Sequence, residues 1–485
     1  MKKILLIITV LLLLISCSDD ITSLNEDTKN PTAVPANYLF TAAQKTLVDQ
    51  MVSTNVNQNV FRLFVQNWTQ TTYTDESNYD IATRTVPDFH WATIYRDVLK
   101  DLKESRAILS TESYSGSAQE IADQNTIRNN KYAIIDIMSA YCYSVLVDTF
   151  GNVPYTEALN IEAYPNPKYD DAKTIYKDLI SKLKVSVGSM NTSIGSFETA
   201  DLIYGGNVAN WKKFANSLRL KMAINLDDID HAYATTEALA AVASGVITSN
   251  SENTSLKYLS VQPNTNPIYV DVVASGRNDF VPTKTIINKM NTLNDPRRAA
   301  FFTLSSANIF EGGTPGDSNN FDNFSHIGNK LLNPTFEGLL MDLSEVEFLL
   351  AEAVERNISV GGSAESHYNN AINASLSYWN IASVDATNYL NSPSVAYTTA
   401  TGNWKQKIGE QAWLALYNRG FEAWTSYRRL DFPVLVAPVD AESPIVPTRY
   451  TYPASEETLN STNNVAASAA IGGNTLTTRI FWDIN

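Results

Sequence analysis

Apolar residues along this chain recur mostly at the three- and four-residue intervals of amphipathic helices. Trp91, Ile94, Tyr95, Val98, Leu99 and Leu102 form one stripe, and Ala172, Ile175, Tyr176, Leu179, Ile180 and Leu183 form another. Tyr38 to Leu47, Trp211 to Met222 and Tyr368 to Trp379 repeat the pattern, and Ile408, Ala412, Leu416, Phe421, Trp424 and Tyr427 predict one last helix. Further helices are expected over about 56–70, over the Ala-rich residues 227–247, and from a capping box formed by Ser344 and Glu347. Residues 130–150 stand apart. They are apolar on nearly every face, yet too short and too interrupted by Asp136 and Asp148 to span a membrane, so the spacing predicts a core helix. Gly151 can turn left-handed past its end and Pro154 prevents it from resuming.

Between the stripes the character changes. Residues 71–90 are polar, dotted with aromatics and free of helical periodicity. Residues 249–334 are rich in Asn, Gly, Pro and Ser, relieved only by a helix near 283–291, and long loops of this kind usually carry function. Beyond Pro433 a loop is expected, up to an Ile480-Phe481-Trp482-Asp483 end that docks on the core. Stripes joined by short turns, as at Gly361-Gly362, form helical hairpins, and hairpins that cannot bury their faces alone stack into a superhelix. The pattern therefore predicts a mostly α protein, an α-α superhelix, with the repeat family left open.

Charge narrows the partners. A formal charge of −15 over 485 residues and no basic stripe exclude nucleic acid, which requires a positive face. Lys2 and Lys3 precede an apolar run from Ile4 to Ile15, the shape of a secretory signal covering residues 1–16. The following Ser16-Cys17 is similar to a lipoprotein cleavage site, so Cys17 is expected to be diacylated and to anchor the chain in a membrane. Residues 17–36 then read as a tether and 37–485 as one domain. Cys142, the other cysteine, lies in the core helix and reads as a small buried residue.

Catalytic chemistry is not indicated. The four histidines, His90, His231, His326 and His367, are scattered, and nucleotide, nucleophile-elbow, zinc and calcium-loop spacings are absent, so neither metal nor cofactor is expected. A glycosidase would need two carboxylates across a cleft, and among 51 acidic residues none stands out. Aromatics outside the helical stripes are the better lead, because sugar faces stack on such rings and amides serve their hydroxyls. Trp68, Tyr73 and Tyr79 stand among Gln, Thr and Asn, and Tyr269 and Phe280 flank Arg277, Asn278 and Asp279. These eight residues are the candidate ligand site.

Several segments together resemble the SusD/RagB family of outer-membrane nutrient-binding lipoproteins. They are the tether LNEDTKNPT, FHWATIYRDVL, DTFGNVPYTEAL, YDDAKTIYKDLI, DLIYGGNVANWKKFANSLRLKMA, VEFLLAEAVERN, IGEQAWLALYNRGFEAWTSYRRLDFPVL and PTRYTYPASEE. The wording is most similar to the SusD-like-2 subgroup, although Thr28 stands where the tether often carries Pro. The resemblance implies four tetratricopeptide-like hairpins, a loop-built ligand site and no catalysis. It also implies a surface lid over a TonB-dependent, SusC-like β-barrel that receives oligosaccharides or, in the alternative, peptides. A surface glycoside hydrolase is the reading from a different class.

Overall fold

The computed structural model describes residues 34–484. Cys17, the signal segment 1–16 and most of the 17–36 tether lie outside the described residues. The long helices are α1 (Ala36–Val52), α2 (Lys100–Thr111), α3 (Ala118–Phe150), α4 (Ala172–Ser189), α5 (Val208–Leu226), α6 (His231–Ser244) and α7 (Lys284–Leu293), then α8 (Leu343–Glu355), α9 (Ala364–Tyr378), α10 (Trp404–Ala415), α11 (Gly420–Leu430) and α12 (Ser461–Ala470). Short strands β1 (Trp68–Gln70), β2 (Val153–Pro154), β3 (Tyr169–Asp170), β4 (Thr254–Leu256), β5 (Phe280–Pro282) and β6 (Gly338–Met341) form three antiparallel two-stranded clips, β1–β5, β2–β3 and β4–β6.

The helices pack as four antiparallel pairs, α1 with α2, α3 with α4, α5 with α6 and α8 with α9, each pair leaning on the next. This is the superhelix that the stripes predict. Its centre is α3, which is long and apolar enough to cross a membrane but has 89% of its most apolar stretch buried inside the protein. Burial on all sides explains why its pattern shows no polar face. Helix α3 begins well before Asn130, at Ala118, where Ser117 and Glu120 make a reciprocal capping box. Its first turns are exposed and carry no apolar stripe, so periodicity misses them. At the other end Gly151 takes φ +86° and its N–H reaches the Val147 carbonyl at 2.8 Å, closing the helix as its sequence predicts.

Helices α10 and α11 close the bundle, and charges buried at their junction fix the arrangement. Lys221 of α5 lies 3.3 Å from Glu345 of α8 and pairs also with Glu422 of α11. Arg419 meets Glu345 at 2.5 Å and Asp342 at 3.1 Å. Sequential pairs and terminal helices are thereby joined through side chains that cannot reach water. The terminal Ile480, Trp482 and Asp483 are buried against this core, as the pattern predicts.

Four expectations need correction. The helix over 56–70 shrinks to one turn, Phe61–Phe64, because Gln66 turns to φ +53° and the chain then extends into β1. The capping box at Ser344 is not formed: Asp342 caps α8, while the Ser344 hydroxyl donates to the Ala371 carbonyl and Glu347 accepts from His367. The last predicted helix is two, α10 and α11, broken where the Asn418 carbonyl accepts from Arg62 at 2.8 Å. The segment beyond Pro433 is not all loop, since Ala454–Leu459 and α12 are helical.

Candidate functional site

The β1–β5 clip joins the loop after the Phe61–Phe64 turn to the long insertion. Trp68 faces Pro282 and Gln70 faces Phe280 across the ladder. Beyond it, the Thr71 N–H donates to the Asp279 carbonyl at 2.9 Å and the Thr71 hydroxyl to the Asn278 carbonyl at 2.6 Å. A cleft of about 440 Å³ opens beside this junction. Its walls are Thr54, Asn55, Val56 and Asn57 after α1, Gln70, Thr72, Tyr73 and Arg84 from the first loop, and Gln262 with residues of the 270–280 stretch from the insertion. Ligand clefts of this size commonly pair a few rings with convergent polar groups.

The eight candidate residues divide sharply. Tyr73, Arg277, Asp279 and Phe280 line the cleft together. Tyr73 is 66% exposed and holds φ +55°, a left-handed conformation uncommon for a bulky residue and typical of functional sites. Phe280 is largely buried and offers the cleft only part of its ring. The Arg277 guanidinium donates to Asp279 at 2.6 Å, which holds its own pKa above the usual arginine value. Asn278 is exposed but clasps Thr71 through its carbonyl rather than lining the cleft. Tyr269 is half-buried outside the lining.

Trp68 and Tyr79 are core residues and cannot serve as a platform. Trp68 is 1% exposed, its indole donating to the Tyr417 hydroxyl at 2.9 Å with Arg62 above its ring. Tyr79 is fully buried against Phe64, its hydroxyl accepts from Gln66, and burial pushes its pKa up to about 12. The cause of both placements is tertiary: the amide-rich surroundings read as a loop surface, but α11 and the insertion close over them.

The sequence reading missed the polar floor of the cleft. Asp271 is half-buried, and its Oδ2 accepts from the Thr54 N–H at 3.2 Å and hydroxyl at 3.0 Å and from the Ser53 hydroxyl at 3.5 Å. Burial raises its pKa, and these hydrogen bonds oppose the rise. Arg84 is tied to the buried Glu76, which also accepts from Gln70 at 2.6 Å. A helix expected from about residue 56 concealed that Asn57, and Asn55 just before it, face a cavity. Among the described residues no group of three or more His, Cys, Asp or Glu side chains is placed to hold a metal.

Residues 28–453 match the SusD-like_2 family, described as starch-binding and associating with the outer membrane. The chain belongs to the SusD-like family. Its fold is shared with a solved chitin-binding protein, 26% identical with a TM-score of 0.78, over 93% of this chain and 100% of that one. A chitin-binding SusD homologue from Flavobacterium johnsoniae is 23% identical with a TM-score of 0.75, covering 92% and 99%. A SusD homologue from Bacteroides uniformis is 24% identical with a TM-score of 0.77, covering 92% and 100%. No curated protein matches the sequence. The SusD-like chain thus spans the full length of these solved relatives with a mostly helical scaffold, as the stripes and the resemblance imply.

Proposed function

We propose that this SusD-like protein captures oligosaccharides at the outer membrane and passes them to a SusC-like, TonB-dependent β-barrel, held to the membrane by lipid on Cys17. The observation that carries the reading is the cleft beside the β1–β5 clip. There an exposed ring, Tyr73, and the partly presented Phe280 stand among Asn55, Asn57, Gln70, Thr72 and Gln262. Rings bind the apolar faces of sugars, and amides and hydroxyls exchange hydrogen bonds with their hydroxyls. The family's description as starch-binding and the two chitin-binding relatives support a carbohydrate ligand. The exposed Arg277, which could meet a peptide carboxylate, favours peptide capture as the second reading.

Calorimetric titration of soluble protein starting after Cys17, against panels of oligosaccharides and mixed peptides, tests the proposal. The bound ligand is then recovered and chromatographed. Intact glycan is the expected result. Peptide binding alone would move the protein to the second reading, and shortened sugar would make it a hydrolase.

A further inference from the structure

If the cleft is a glycan site, the charges in its wall bear on which sugars it takes. The two cations that line the cleft are already neutralised: Arg277 by Asp279 at 2.6 Å, and Arg84 by Glu76. Asp271 differs. It lines the cavity and has no ion-pair partner among the described residues, and the hydrogen bonds it receives from Thr54 and Ser53 all fall on one oxygen, Oδ2. Arg62, a buried cation that lies over Trp68, directs its N–H groups to the carbonyls of Val52, Ser53 and Asn418 instead. The cleft therefore presents a half-buried carboxylate that makes no ion pair, although it and the buried Arg62 attract one another at longer range.

A partly buried, unpaired carboxylate is unfavourable, and a charge-assisted hydrogen bond to a ligand cation gains more there than at an open surface. We propose that the cleft selects oligosaccharides carrying a protonated primary amine, sugars of the glucosamine type, with Asp271 as the partner of the ammonium group. Tyr73 supplies the stacking surface for the ring that bears the amine, and the neutral Asn55, Asn57 and Gln262 meet its hydroxyls. Burial, which pushes the Asp271 carboxyl up, is offset once an ammonium faces it. A lysine-bearing peptide has the same cation but not the polyhydroxylated ring that this neutral lining suits.

The test is calorimetric titration of the soluble protein at mildly acidic pH with four probes. These are β-1,4-linked tetramers of glucosamine, N-acetylglucosamine and glucose, and a lysine-containing tetrapeptide. The glucosamine tetramer should bind at least about tenfold tighter than its acetylated counterpart, as expected for one ammonium–carboxylate contact in a partly dry site. Asp271→Asn, with its melting temperature checked, should make the two tetramers equal. Equal affinity in the unmodified protein, or a preference that survives Asp271→Asn, overturns the inference. Binding of the tetrapeptide in place of the sugars overturns it as well, in favour of peptide amines. Neutral tetramers that bind as well as the charged one and weaken in Tyr73→Ala would leave the glycan site standing while removing the amine. No binding by any tetramer would remove both.

Discussion

Trp482, near the end of the chain, donates its indole N–H to Asp148 of the core helix at 2.9 Å, 334 positions away in sequence. The same carboxylate accepts from the Tyr176 hydroxyl, and Arg428 lies between the Trp424 and Trp482 rings, 3.5 and 4.9 Å from their centres. The C-terminal segment is thus a structural member of the core, closing over the exit of α3.

Trp482→Ala should therefore lower stability by about 3–5 kcal/mol, the range for removing a buried tryptophan. Asp148 would also lose one of its donors. Denaturant midpoints of the two proteins measure the difference, and equal midpoints would show that the segment is not docked in solution.

The two fates of the candidate aromatics give a paired test. Tyr73→Ala should weaken ligand binding by about tenfold while leaving the melting temperature within a degree or so, because exposed side chains rarely affect stability. Trp68→Ala and Tyr79→Ala should do the reverse and cost about 3–5 kcal/mol, since both rings fill the core. A Trp68→Ala protein as stable as the parent would contradict the placement of that ring.

His90 predicts how stability follows pH. Fully buried, with Phe61 and Tyr450 edge-on and Phe150 tilted against it, it accepts from Gln50 at 2.9 Å, and burial pushes its pKa down to about 3. Unfolded, it would titrate near 6.5. Between those values the unfolded chain binds a proton that the folded chain refuses, so stability is fully present above about pH 6.5 and falls as pH drops toward 3. The loss attributable to this residue is about 1.4 kcal/mol per pH unit within the window. His90→Phe should flatten the dependence of the denaturant midpoint by about one proton over that range. An unaltered slope would assign the acid sensitivity to other groups.

Lys221→Met should be strongly destabilising, by about 3–5 kcal/mol, because it strands Glu345 and Glu422 in the interior with one cation fewer. Combining it with Glu422→Gln should recover part of the loss, as a double-mutant cycle would reveal. Strictly additive effects would mean that the lysine and glutamate act independently.

The scaffold was legible where burial is one-sided. Stripes such as Ala172 to Leu183 and Tyr368 to Trp379 give their helices directly, and Gly151 marks the end of α3. Elements without a stripe escaped notice: the exposed start of α3 and the weakly buried α12. The helix expected over about 56–70 is too long because the residues of its one real turn, Phe61–Phe64, are buried on all sides. At the site, sequence located the two loops that meet but misjudged which rings face outward. Trp68 is covered by Tyr417, 349 positions away, and Tyr79 packs on Phe64, which itself lies against Trp424, and local polarity carries no trace of that. Asp271 escaped because one carboxylate among many has no local signature.

The β4–β6 clip brings the chain back beside its point of departure after residues 257–337, and the β1–β5 clip with the hydrogen bonds of Thr71 fastens that excursion to the first loop. An excursion whose two ends are already neighbours can be lengthened or shortened at its exposed stretches without changing the distance its supporting helices must span. The exposed stretches of this segment can therefore vary in length while Ile286, Met290 and Phe301 keep their places in the core.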